Sequence, residues 1–149
     1  IEVNETLSHI IKAEGVKVSQ GEMIWNPGTG PIFIHADKLH FVNVITNILD
    51  NAVKYCQKEF ISISVQTKIH DHNFYIMIED NGIGIGIEDQ KKLFDKFYRV
   101  STGDKHDVKG FGLGLSYVQS IVEKHNGKVW VESKLKEGSK FIIQLPVTV

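Results

Sequence analysis

Leu7, Ile10 and Ile11 recur at helical spacing and are followed by Glu14 and Gly15, so the chain is predicted to open with a short amphipathic helix that carries His9 on its polar side. From Val16 to His35, apolar and polar positions mix around Trp25, Asn26-Pro27-Gly28 and Gly30-Pro31, which predicts short edge strands joined by a turn. Asp37 then stands as an N-cap ahead of Phe41, Ile45, Ile48, Leu49 and Ala52, and this stripe predicts a long helix running to about Cys56. Next, Ile61, Ile63 and Val65 alternate with Ser62, Ser64 and Gln66. A polar turn from His70 to Asn73 follows, and Phe74, Ile76 and Ile78 then alternate with Tyr75 and Met77. Together these segments predict an antiparallel hairpin.

The second half begins with a glycine-rich loop, Asp80-Asn81-Gly82-Ile83-Gly84-Ile85-Gly86, and a short helix is expected around Leu93 to Phe97. A polar stretch from Ser101 to Lys109 is expected to be mobile. Gly110 to Gly114 lead into a helix that reaches about Asn126 and stops at Gly127. Val129 to Lys134 and Lys140 to Pro146 predict a closing hairpin turning at Glu137-Gly138. The order predicts an α+β fold of two layers, with helices covering one face of a mixed, mainly antiparallel sheet. No repeat or low-complexity linker divides residues 1–149, which are expected to form a single domain.

The 149 residues are 42% hydrophobic and 23% charged, the balance of an ordinary globular chain. A chain of this size can bury roughly 68–70% of the surface its unfolded form exposes, so neither disulfides nor a structural metal is required. The lone Cys56 cannot close an intramolecular bridge and suits a reducing cytosol. No apolar run approaches the roughly 20 residues that cross a bilayer, and no signal-peptide pattern opens the chain. These residues are therefore not expected to enter a membrane. The first residue is Ile and not Met, so a fragment or processed piece is expected, and a membrane span upstream is left open. A net charge of -1 supplies no basic face for nucleic acid, and an anion would have to be held by a local field.

Candidate chemistry gathers on the long helix. Asn47, Asn51, Lys54 and Tyr55 project from one stripe beside the apolar one. Carboxamide oxygens suit Mg2+, a lysine suits phosphate, and an aromatic ring suits a flat base, although a solvated helix face would look the same. Gly82, Gly84 and Gly86 follow a strand-ending Asp80. Gly110, Gly112 and Gly114 precede a helix, where backbone N–H groups can hold phosphate. Neither cluster fits G-x-G-x-x-G, because Ile87 and Leu115 occupy the last glycine position, and no G-x-x-x-x-G-K-[ST] occurs. The protein-kinase signatures H-R-D and D-F-G are absent. His35, His40, His106 and His125 lack metal-ligand spacing, and His70-Asp71-His72 suits an exposed turn, so no zinc site is expected.

Four segments in order complete a pattern. Asn47-Ile-Leu-Asp-Asn-Ala-Val-Lys-Tyr55, Asp80-Asn-Gly-Ile-Gly84, Leu93-Phe-Asp-Lys-Phe-Tyr-Arg99 and Gly110-Phe-Gly-Leu-Gly-Leu-Ser116 resemble the N, G1, F and G2 boxes of histidine kinase ATP-binding domains. Those domains belong to the wider superfamily of gyrase, Hsp90, histidine kinases and MutL, with its Bergerat fold, and the resemblance covers nearly the whole chain. It implies that Asp80 accepts a hydrogen bond from the adenine amino group and that Asn51 coordinates Mg2+ with Asn47 nearby. Lys54 and Arg99 would approach the phosphates, and Tyr55 would lie against the adenine. Gly82 and Gly84 would let the chain pass close to the base, and Gly110, Gly112 and Gly114 would contact phosphate at the hinge of a lid over residues 100–109. Ile85, Phe97, Phe111, Leu113 and Leu115 fall among the same nucleotide-contacting positions, and Ser139 matches a hydroxyl position that supports the adenine-binding Asp.

Hydrolytic members of the superfamily carry a glutamate four residues before the metal-binding asparagine, and this chain has Asn47 there. An amide cannot take a proton from water, so the resemblance implies a histidine kinase, with slow ATPase or nucleotide-binding regulator as the alternatives. The acceptor histidine of that family lies in an upstream helical dimerisation domain with a motif resembling S-H-E-[LF]-[RK]-[TS]-P. Ser8-His9 imitates its first letters, but Ile10, Ile11 and Lys12 follow with no Pro, so the acceptor is expected elsewhere. A response regulator receiver domain would be an indirect partner. The chain would be a cytoplasmic part of a membrane-anchored sensor kinase.

Overall fold

The structure, a computed structural model, describes residues 1–15, 21–54, 60–95 and 114–147. Helix α1 spans Val3–Gly15 and buries Val3, Leu7, Ile10 and Ile11. Glu2 caps it, its Oε2 accepting from the Glu5 N–H at 2.8 Å. Helix α2 spans Lys38–Lys54 and buries Phe41, Val44, Ile45, Ile48, Leu49 and Ala52. Asp37 caps it as expected, with Oδ1 accepting from the His40 N–H at 3.0 Å. The predicted end near Cys56 lies outside the described residues.

Strands β1 (Gly21–Asn26), β2 (Ile61–His70), β3 (Asn73–Asp80), β4 (Lys128–Lys134) and β5 (Gly138–Pro146) form one five-stranded sheet in the order β1-β2-β3-β5-β4. All neighbours pair antiparallel except β1 with β2. The β2–β3 turn needs only Asp71 and His72, both at positive φ (51° and 63°), the backbone of a type I′ hairpin.

Inward-facing positions of the sheet, Ile63 and Val65 of β2, Phe74, Ile76 and Ile78 of β3, and Phe141, Ile143 and Leu145 of β5, join the buried residues of α1 and α2 and Val118 and Val122 of a later helix in one core. That helix, called α4 below, spans Gly114–Lys124. Helices therefore lie on one face of the sheet, as the alternation predicts.

Three local expectations are corrected. Within the expected stretch from 16 to 35, the described residues 21–35 contribute one edge strand, β1, and an isolated bridge between Glu2 and Phe33, not a pair of turn-linked strands. Its parallel pairing with β2 leaves the whole of α2 to make the crossover. The short helix sits at Ile87–Lys92 (α3), ahead of the expected span, with Leu93 as its C-cap. Glu88 and Asp89 in its first turn and Lys91 and Lys92 in its last complement the helix dipole, whereas no residue of α3 is buried to betray it by apolar periodicity. At the end of α4 the left-handed residue is Asn126 (φ 62°), and Gly127 follows it. The Gly127 N–H bonds to Val122 O at 2.9 Å and the Asn126 N–H to Glu123 O at 3.0 Å, which is a Schellman cap. Gly127 is needed because a Cβ there would stand 2.3 Å from Gln144 O.

Candidate functional site

Strand β3 delivers Asp80 to the edge of the helical layer, where the chain turns into the loop 81–86. Asn81 fixes that exit. Its Oδ1 accepts from the Ser62 N–H at 2.9 Å, its Nδ2 donates to Phe60 O at 2.8 Å, and its own N–H donates to Ser62 O at 3.2 Å. The residue beside the candidate acidic group thus ties the loop to the start of β2.

Asp80 folds back on its own loop and on β5. Oδ1 accepts from the Gly82 N–H at 2.8 Å and from the Ser139 N–H at 3.3 Å. Two backbone N–H groups on one oxygen orient the carboxylate and stabilise its charged form. Ser139 meets Asp80 through its backbone, while its hydroxyl lies 2.7 Å from Ser133 Oγ.

The loop can pass this close only because of its glycines. Gly84 has φ 76°, and a Cβ there would fall 2.1 Å from Lys134 O. Gly138 has φ 119°, and a Cβ there would fall 2.0 Å from Asp80 O. The β4–β5 turn is therefore pressed against residues 80–84, and Lys136 N–H donates to Ile83 O at 2.7 Å.

A cavity opens between this loop and α2. It is lined by Asn51, Ala52, Asp80, Ile83, Gly84, Ile85, Leu93, Leu115, Ser139 and Phe141. The cavity is narrow and mainly apolar, and Asp80 is the charged group in its lining. Asn51, from the stripe on α2, and Leu115, from α4, thus join Asp80, Gly84, Ile85 and Ser139 at one place. Gly82 is buried beside them.

Asn47 stands one turn before Asn51. Its Nδ2 donates to Asn43 O at 2.8 Å, and its Oδ1 lies 3.0 Å from where a Cβ on Gly114 would be. Only the amide NH2 can donate to a carbonyl, so the oxygen, the atom able to bind a cation, is turned toward the start of α4. Gly114 is what lets that helix end approach. Lys54 is exposed at the last turn of α2. Among the described residues no group of three or more His, Cys, Asp or Glu is placed to hold a metal ion, and the carboxamides that the resemblance assigns to Mg2+, Asn47 and Asn51, stand one turn apart on α2. That donor set fits Mg2+, which takes few protein oxygens and completes its shell with phosphate and water.

Tyr55, Phe97, Arg99, Gly110, Phe111, Gly112 and Leu113, and the expected lid over 100–109, lie outside the described residues. No role at the site was expected from the sequence for Asn81, Gln90, Ser133 or Gly138. Ser133 was out of reach of inference because the turn is centred on Lys136, not at Glu137-Gly138 as expected, and only that shift places Ser133 opposite Ser139.

Comparison with known proteins places these features. The family model for histidine kinase-, DNA gyrase B-, and HSP90-like ATPases matches residues 36–149. Sensor protein RprX of Bacteroides fragilis is 47% identical over 151 residues, covering 99% of this chain and 29% of RprX. Sensor histidine kinase WalK of Bacillus subtilis is 31% identical over 148 residues, covering 98% of this chain and 24% of WalK. The chain thus spans under a third of the length of these relatives. Full-length ShkA, solved in complex with AMPPNP, shares the fold with a TM-score of 0.82 at 21% identity, over 100% of this chain and 31% of ShkA. No described helix is long and apolar enough to cross a membrane. With its sheet, its Asp80 loop and its two-asparagine helix face, the chain belongs to the histidine kinase-, DNA gyrase B- and HSP90-like ATPase family, among the ATPase domains of sensor histidine kinases.

Proposed function

We propose that this chain binds Mg-ATP and donates the γ-phosphoryl group to a histidine in an upstream dimerisation domain of the same protein, as the catalytic part of a two-component sensor kinase. A response regulator receiver domain would take the group from that histidine, and the parent protein would be membrane-anchored with this part in the cytoplasm. Adenine would enter the cavity edge-on to Asp80, over Gly84 and Ile85, and the AMPPNP bound by ShkA is consistent with such a ligand. Asn51 and Asn47 would hold Mg2+, which neutralises charge on the transferring phosphate when bound. Lys54 and Arg99 would approach the same phosphates, and the glycines at 110, 112 and 114 would hold them at the lid hinge.

The observation that carries transfer over hydrolysis is Asn47. It stands one helical turn before Asn51, where a carboxylate would have to act as base on water, and its amide nitrogen donates to Asn43 O. A carboxamide has no basic site of useful strength, so an attacking water stays weak and the phosphoryl group awaits a better-placed nitrogen. Phosphate release by the chain alone tests this. It should stay near the uncatalysed background, whereas steady release that disappears with Asn51→Ala would show a stand-alone ATPase instead.

A further inference from the structure

The hydrogen bonds that hold the Asp80 loop converge on one hydroxyl and one amide that the proposed chemistry does not use. Ser133 Oγ accepts from the Ile85 N–H at 2.7 Å and donates to Gly138 O at 2.8 Å. Because a serine hydroxyl has a single proton, the 2.7 Å contact between Ser133 and Ser139 must then be donated by Ser139. On the next peptide unit, Gln90 Nε2 donates to Ile85 O at 2.6 Å and to Ser133 O at 3.1 Å. Ile85 is therefore gripped on both sides of its Cα, at its N–H by a side chain from β4 and at its C=O by one from α3. Helix α3 buries no side chain of its own, so Gln90 is a principal tie between that helix and the loop.

The chain of contacts runs on to Asp80. Ser139, held by Ser133 through its hydroxyl, gives its backbone N–H to Asp80 Oδ1, and Gly82 from the loop gives its N–H to the same oxygen. A shift of the Ile85 backbone would thus be felt where the carboxylate is aimed.

We infer that Ser133 and Gln90 are positioning residues for base recognition. They fix the 81–86 backbone and, through Ser139, the direction of the Asp80 carboxylate, so they set affinity for the adenine end of the nucleotide and not for its phosphates. This rests on the proposed adenine-binding role of Asp80, and the test must separate the two.

Affinities for adenosine, ATP and inorganic tripolyphosphate would be measured by calorimetry for the unaltered chain and for Ser133→Ala, Ser133→Thr, Gln90→Met and Asp80→Asn. Ser133→Ala and Gln90→Met should each weaken adenosine and ATP by about three- to tenfold, the size of one lost hydrogen bond, with tripolyphosphate unchanged. Ser133→Thr keeps the hydroxyl on a strand that favours β-branched residues, and it should restore binding to within about twofold. If Ser133→Ala does not fold, Gln90→Met carries the test at the same residue, Ile85. Unchanged adenosine affinity in both variants while Asp80→Asn weakens it would overturn the positioning role and leave Asp80 standing. Unchanged affinity in Asp80→Asn would overturn the adenine assignment itself. Equal losses for adenosine and tripolyphosphate would mark general destabilisation and also overturn the inference.

Discussion

Asp80 and Gly84 make opposite demands on the site, one chemical and one steric. Asp80→Asn replaces a carboxylate held by the Gly82 and Ser139 N–H groups with an amide that can present either its oxygen or its NH2 to them. Mg-ATP binding should weaken by about 1–3 kcal/mol in calorimetry, and unchanged affinity would remove Asp80 from the site. Gly84→Ala puts a Cβ 2.1 Å from Lys134 O at a residue with φ 76°. It should cost about 1–3 kcal/mol of stability in denaturant unfolding and weaken ATP as well, because the loop can accept the methyl only by leaving the β4–β5 turn. A denaturation midpoint equal to that of the unaltered chain would contradict the close approach. The role expected of Asp80 came from the resemblance of Asp80 to Gly84 to the G1 box, since an Asp before Asn-Gly at a strand end otherwise reads as a turn former. The steric role of Gly138 was not legible, since a glycine in a hairpin turn looks like any other until Asp80 O is found 2.0 Å from its missing Cβ.

Elements with a strong apolar rhythm were legible, and those without it were not. Helix α2 shows a full stripe from Phe41 to Ala52 and a cap at Asp37, and the structure reproduces both. Asp37→Ala should lower stability by about 1 kcal/mol, and the melting temperature by about 2–4 °C, with little effect on nucleotide affinity because the cap lies at the far end from Asn51. A melting temperature that does not move would mean that the 3.0 Å contact to the His40 N–H contributes nothing. Helix α3, by contrast, is held by termini of suitable charge and by Gln90, neither of which leaves a periodic trace. The direction of β1 was equally hidden. Alternation gives a strand but not its partner, and the parallel register Gly21↔Ile61 is set by the crossover through α2.

For the whole molecule, one face of the sheet carries the described core helices and the site, and on the other a row of side chains packs across the strands. Gln66, Met77, Ile142 and Trp130 lie in register across four strands, with Gln66 Nε2 3.5 Å from Met77 Sδ. Met77 and Ile142 are buried (8% and 4% exposed) with no described helix above them. His9 is exposed on α1, which packs beside β1 and α2, and its surroundings in sequence lack the acceptor motif. The measurement that tests this most directly is labelling with γ-phosphate-labelled ATP. The chain alone should gain essentially no phosphohistidine. Joined to its native upstream helices, it should gain label that Asn51→Ala abolishes and His9→Gln leaves unchanged, because in-line transfer depends on a nitrogen held at the γ-phosphate. Labelling of the isolated chain at His9, or a joined protein that binds Mg-ATP yet never labels, would contradict the assignment of this chain as the donor half of a histidine kinase.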